Sequence, residues 1–104
     1  MAGLIGVPSG SKAFSRQDST SNDGMASINL GKVKGIIYVQ STALNGARTK
    51  CFMVKNTSVE VVGSALDPVF ENYVTATITD ENLIVTAKNT SGTGFVNVTV
   101  WYFG

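Results

Sequence analysis

VTATITDENLIVTAK, residues 74–88, decides how the rest of the chain is read. Val74, Ala76 and Ile78 alternate with Thr75, Thr77 and Thr79, and a period of two fits a strand with one face buried, not a helix. Asp80, Glu81 and Asn82 then turn the chain, and LIVTAK runs back. Downstream, NTSGTG (89–94) reads as a further reversal, with Gly92 and Gly94 as its turn residues, and leads into FVNVTVWYFG (95–104). There Val96, Val98, Val100 and Tyr102 fall on one side, and Phe95, Asn97, Thr99, Trp101 and Phe103 on the other. The first side is core. The second is polar at its middle and aromatic at its ends, as expected of a strand whose outer face covers a sheet edge or meets a partner.

Working back from this stretch, GIIYVQST (35–42) places Ile37 and Val39 on one face and Ile36, Tyr38 and Gln40 on the other. Asn45-Gly46 follows as a hairpin signal, because both residues tolerate positive φ. TKCFMVK (49–55) is the return strand, Asn56-Thr57 a tight break, and SVEVVG (58–63) the next strand. In ALDPVFENY (65–73), Asp67 is placed as an N-cap and Pro68 as a first helical residue, enough for one helical turn. The expected architecture is all-β, a small antiparallel β-sandwich or barrel of about six strands joined mostly by short hairpins, spanning residues 33–104.

Residues 1–32 differ. PSGSKAFSRQDSTSNDG (8–24) is polar apart from Phe14 and has too little apolar area to offset its ordering entropy. Leu4, Ile5 and Val7 precede it, while Met25, Ile28 and Leu30 follow. This spacing predicts an extended N-terminal arm that anchors at separated points on another surface.

Composition removes several function classes. The 104 residues carry 8 Lys and Arg against 7 Asp and Glu, a net charge of +1 spread along the chain, so nucleic acid is not an expected partner. MAGLIGVPSG lacks a basic leader and its apolar run is too short for a membrane span, so neither export nor membrane insertion is expected, and the chain is read as folding in a reducing cytoplasm. Cys51 is the only cysteine, which rules out an intrachain disulfide, and inside CFMV it reads as a buried structural thiol. The acceptor patterns at Asn56, Asn89 and Asn97 are about what chance gives in a chain so rich in Asn, Ser and Thr.

Chemistry is equally sparse. Without a single His, the commonest general base and transition-metal ligand is missing, and Ser-His or Cys-His catalysis is impossible. Ser9 and Lys12 match a Ser-x-x-Lys spacing but lie in the Gly/Ser-rich arm, with no rigid helix to aim them. Asp67 with Glu71, and Asp80 with Glu81, read as solvated turn charges, and the second pair lacks the alternating oxygen ligands of a calcium loop. Gly92 and Gly94 precede a strand, so no helix N-terminus receives a phosphate. No cofactor or metal is expected. Tyr38, Tyr73, Trp101 and Tyr102 are candidates for stacking on sugar rings.

The Gly/Ser/Asn-rich arm, the Thr/Val-rich β body and the closing VNVTVWYFG resemble the small structural proteins of tailed bacteriophage virions, decoration or fibre domains. The resemblance implies a non-enzymatic protein of the virion, assembled in the bacterial host cytoplasm. Its arm would dock on capsid or tail, and its β body would form a homo-oligomer, favouring a trimer. Strands such as GIIYV and VEVV, apolar on both faces, independently leave surface for a partner. The candidate interface comprises Leu4, Ile5, Val7, Phe14, Ile28, Leu30, Trp101 and Phe103. Two other readings remain: a module that binds a host-surface glycan or receptor through exposed aromatics, and a filament subunit in which residues 25–34 add a strand to a neighbour.

Overall fold

The alternation along residues 74–103 continues through most of the chain, and in the computed structural model it resolves into eight strands in two antiparallel sheets. Residues 14–41, 48–66, 68–89 and 91–103 are described. The strands are β1 (Phe14–Ser21), β2 (Met25–Gly31), β3 (Gly35–Ser41), β4 (Arg48–Val54), β5 (Val59–Ser64), β6 (Val74–Thr79), β7 (Asn82–Lys88) and β8 (Val96–Phe103). A five-stranded sheet runs β1-β8-β3-β4-β5, and a three-stranded sheet runs β2-β7-β6. One apolar core joins them: Val96, Val98, Val100, Ile37 and Val39 from the large sheet meet Leu83, Val85, Ala87, Val74 and Ile28 from the small one. Each valine fully withdrawn from water there contributes roughly 1.5–3 kcal/mol relative to exposure.

Two strands more than expected are present, β1 and β2, both from the stretch read as arm. In β2 the inward residues Ala26 and Ile28 are buried and Leu30 packs against them, a set too short to stand out in the sequence. β1 has no apolar inward set at all. It is held along the free side of β8 by its backbone ladder, from Phe14 opposite Phe103 to Ser21 opposite Val96, and by Gln17 Nε2 donating to Tyr102 Oη at 2.9 Å. An edge strand stabilised by hydrogen bonds leaves no hydrophobic pattern to read.

The connections also differ. β3–β4, β4–β5 and β6–β7 are sheet neighbours in sequence, but β7 and β8 lie in different sheets, so NTSGTG carries the chain across the core and does not close a hairpin. Hairpins and crossings both recruit Gly, Ser and Asn, which is why the two look alike in sequence. The Asn45-Gly46 turn and Asp67 lie outside the described residues, although β3 and β4 pair from Gly35 opposite Val54 to Ser41 opposite Arg48, and Pro68 opens a six-residue 3-10 helix ending at Tyr73. Asp80 and Glu81 form the β6–β7 turn, with φ of 50° and 67°.

The β1–β2 corner is tied to the β7–β8 crossing. Gly24 N donates to Gly94 O at 2.9 Å, and Asn89 N donates to Gly24 O at 2.8 Å. At Gly24 (φ +82°) a Cβ would lie 2.4 Å from both the carbonyl carbon and the oxygen of Gly92. Only glycine permits that approach.

The opposite flank of the core is closed by a buried cation. Lys50 takes the inward phase of β4 beside Phe52 and Val54, and its side chain is 5% exposed. Its Nζ donates to the backbone oxygens of Glu71 (2.7 Å) and Val74 (2.9 Å) and pairs with Glu71 Oε2 at 3.0 Å, pinning the 3-10 helix to the large sheet. Glu71, expected as a solvated turn charge, is thus an ion-pair partner; hydrogen bonds from Lys50 and Ser64 hold its carboxyl below the usual glutamate range. Cys51, expected in the core, is half-buried on the other face of β4, because the inward phase belongs to Lys50 and Phe52.

Two outcomes follow from these contacts. Gly24→Ala lowers stability by about 3 kcal/mol in urea unfolding, whereas Gly31→Ala, at φ +70° but with nothing within 4 Å, loses only about 1 kcal/mol; equal losses would contradict the backbone contact. Since the folded pKa of Glu71 is lowered, its contribution is complete above the usual glutamate range and disappears as pH falls through the folded value. Unfolding of Glu71→Gln followed from pH 6 to 2.5, a window of about pH 4.3 and below being decisive, is accordingly expected to show a weaker acid dependence than wild type.

Candidate functional site

Directly opposed residues of neighbouring strands point to the same face, so the register of the large sheet lays out its outer surface in rows. The central row runs Arg16, Trp101, Tyr38, Cys51 and Gly63 across all five strands. On one side lies a polar row: Asp18, Thr99, Gln40 and Thr49. On the other lie Phe103, in register with Phe14, and the cross-strand set Ile36, Met53 and Glu60. The face therefore grades from polar to apolar along the strands.

At the polar end, Asp18 Oδ1 accepts from Thr99 Oγ1 at 2.6 Å and from Arg16 Nε at 3.3 Å. The Thr99 bond first, and then Arg16, keep the Asp18 carboxyl below its ordinary range, although partial desolvation opposes them. Arg16 also places its guanidinium 5.8 Å from the centroid of the Trp101 ring, and Tyr38 leans against that ring from β3, 5.8 Å between centroids at an interplanar angle of 54°. Trp101 thus has a neighbour on either side, Arg16 from β1 and Tyr38 from β3. Gly63, lacking a side chain, leaves a shallow depression of about 250 Å³ beside Tyr38 and Cys51.

At the apolar end, Ile36 and Tyr38 are 44% and 45% exposed, and Phe103 is 53% exposed. Cys51, Met53 and Trp101 fill the space between as half-buried residues. The outer face of the small sheet is different: Ser27, Asn29, Thr75, Thr77 and Thr79 dominate it, and Ser27 and Thr86 join hydroxyls across β2 and β7 at 3.0 Å. Met25, 51% exposed at the β2 edge, and the half-buried Ile84 are the apolar residues on this otherwise polar face.

Of the residues expected at an interface, Trp101 and Phe103 come together on this face. Ile28 is 6% exposed within the core, and the partly buried Leu30 packs against that core. Phe14 begins β1 in register with Phe103, with its side chain outside the described residues; Leu4, Ile5 and Val7 also lie outside them. Of the aromatics considered for sugar binding, Tyr38 and Trp101 stay together on the outer face, while Tyr102 is 9% exposed on the inner face and Tyr73 packs edge-on to Phe70, 5.6 Å between centroids. Sequence reasoning passed over Met53 and Cys51, which the unbroken apolar run CFMV conceals, and Arg16, which lay in the polar stretch. Among the described residues, no three of His, Cys, Asp and Glu gather as metal ligands.

No protein-family model matches this chain, and no curated protein does. Among solved structures, it is similar to the tailspike protein of the Acinetobacter phage vB_ApiP_P1, with a TM-score of 0.49 and 17% identity over 100% of this chain. The chain spans 24% of the length of that protein.

Proposed function

We propose that this chain is a non-enzymatic structural protein of a tailed-phage virion, a capsid decoration or short fibre subunit, that works by packing the outer face of its five-stranded sheet against further copies of itself. The observation that supports this reading most directly is the contrast between the two outer faces. Thr and Ser predominate on the small sheet, where Met25 is the one strongly exposed apolar side chain, while Ile36, Tyr38, Met53 and Phe103 stand together on the large one. A contiguous apolar patch rimmed by polar groups is the usual mark of an interaction site.

The occupant that suits this face is another copy of the chain, because the surface offers both signs of charge together, Arg16 and Asp18 at one end and Glu60 at the other, with apolar area between them. Strand-edge growth is less well served. Residues 25–31 already pair with β7 in the chain's own sheet, and β5 carries a bulge that leaves Val62 without an opposite residue, which bends the edge away from further pairing. The trimer and the docking on capsid or tail through the N-terminal arm, read from the sequence as residues 1–32, belong to the same proposal and rest on the sequence resemblance.

Light scattering and native mass spectrometry test it. Wild type is expected as an oligomer at micromolar concentration, and Ile36→Lys combined with Met53→Lys as a folded monomer of unchanged circular dichroism that melts somewhat lower, because assembly no longer stabilises it and the two lysines face each other across β3 and β4. A wild-type monomer at that concentration, or an oligomer untouched by the two lysines, would overturn the reading.

A further inference from the structure

At the end of the sandwich where β2 passes to β3, β4 to β5 and β6 to β7, a cleft of about 710 Å³ opens between the two sheets. That size falls within the roughly 300–1,000 Å³ of sites that take small molecules. Its floor is the exposed end of the core: Val33 and Leu83, 7% and 1% exposed, with the half-buried Ile78. The Phe103 ring forms part of the wall.

The rim is cationic. Lys32, Lys34 and Lys55 line the cleft from two separate turns, against a single lining carboxylate, Glu81. Lys32 is paired with Glu81 at 3.4 Å, and Lys55 is paired with Glu60. Lys34 makes no ion pair among the described residues. Its ammonium, on the border of an apolar floor, is positioned to take a negative charge from whatever enters. Asn56 and Thr57, on the β4–β5 turn beside Lys55, add an amide and a hydroxyl that both donate and accept.

We infer that this cleft binds a ring-bearing carboxylate, such as the uronic acid unit of an acidic polysaccharide. The carboxylate takes Lys34, the apolar face of the ring lies on Phe103 and the Val33–Ile78 floor, and ring hydroxyls exchange hydrogen bonds with Asn56 and Thr57. A bare inorganic anion would leave floor and wall without a partner, and a neutral sugar would leave the Lys34 charge without one. The segment before β1 is also a poor occupant, because residues 1–13 bring Lys12 and no carboxylate side chain. The site shares Phe103 with the apolar rows of the outer face, but Lys34, Asn56, Thr57 and the floor residues are not among those rows, so the Lys34 variants test it apart from assembly.

Methyl NMR of Val33, Ile78 and Leu83 in the full chain, titrated with sodium glucuronate, glucose and sodium phosphate, tests the inference. Glucuronate is expected to give saturable shifts at all three methyl groups and glucose none that saturate. Lys34→Ala, at an exposed position, weakens glucuronate about tenfold, as loss of one charge-assisted contact does, while Lys34→Arg retains most of the affinity and both variants melt like wild type. Absence of saturation with glucuronate, equal affinity for phosphate, or unchanged binding by Lys34→Ala would each overturn it.

Discussion

β8 is the constraint on which the rest of the molecule depends. It is paired on one side to β1 and on the other to β3, and its inward residues Val96, Val98 and Val100 are all fully buried. Those valines fix the phase of the strand, because a slip of one residue would exchange Val98 and Val100 for Asn97 and Thr99 in the core. Once the phase is fixed, Trp101 and Phe103 have to face outward. The pleat that builds the core therefore also builds the aromatic outer surface, and neither can change register without the other.

The difference in width between the sheets extends this logic. Five strands stand over three, so the small sheet leaves part of the large one uncovered at β5, where Val61 shares the inward phase of Phe52 and Val59 that of Val54. Val61 is accordingly 54% exposed. Lys50, the 3-10 helix and Leu66 cap the neighbouring gap, with the lysine ammonium satisfying two backbone carbonyls that would otherwise be stranded. A lysine serves here because its long stem crosses apolar ground and its head reaches the helix.

Much of this was legible in the alternation of residues. β6, β7, β8 and the inward pair Ile37 and Val39 follow from period two, and so do Tyr38, Trp101 and Phe103 on the outer face. What escaped has physical causes. β1 is stabilised by its ladder and by side-chain bonds at Gln17 and Asp18, and these carry no hydrophobic signature. Ile28 and Leu30, read as anchors for another surface, turn into the chain's own core because β2 pairs with β7 in the small sheet. Lys50 entered the sequence reading only in the count of Lys and Arg, although its phase with Phe52 and Val54 is present in TKCFMV. The end cleft was invisible because Lys32, Lys34, Lys55 and Phe103 converge only when three turns meet.

The outer face of the large sheet carries the central claim, and Cys51, the chain's single cysteine, reports on it from the middle of the Trp101 row. The rate of iodoacetamide alkylation of Cys51, measured as native protein is diluted through the assembly range, tests that claim most directly. The account predicts a thiol protected at high concentration and progressively faster to react on dilution, with native secondary structure retained throughout. A rate that stays the same at every concentration would contradict it.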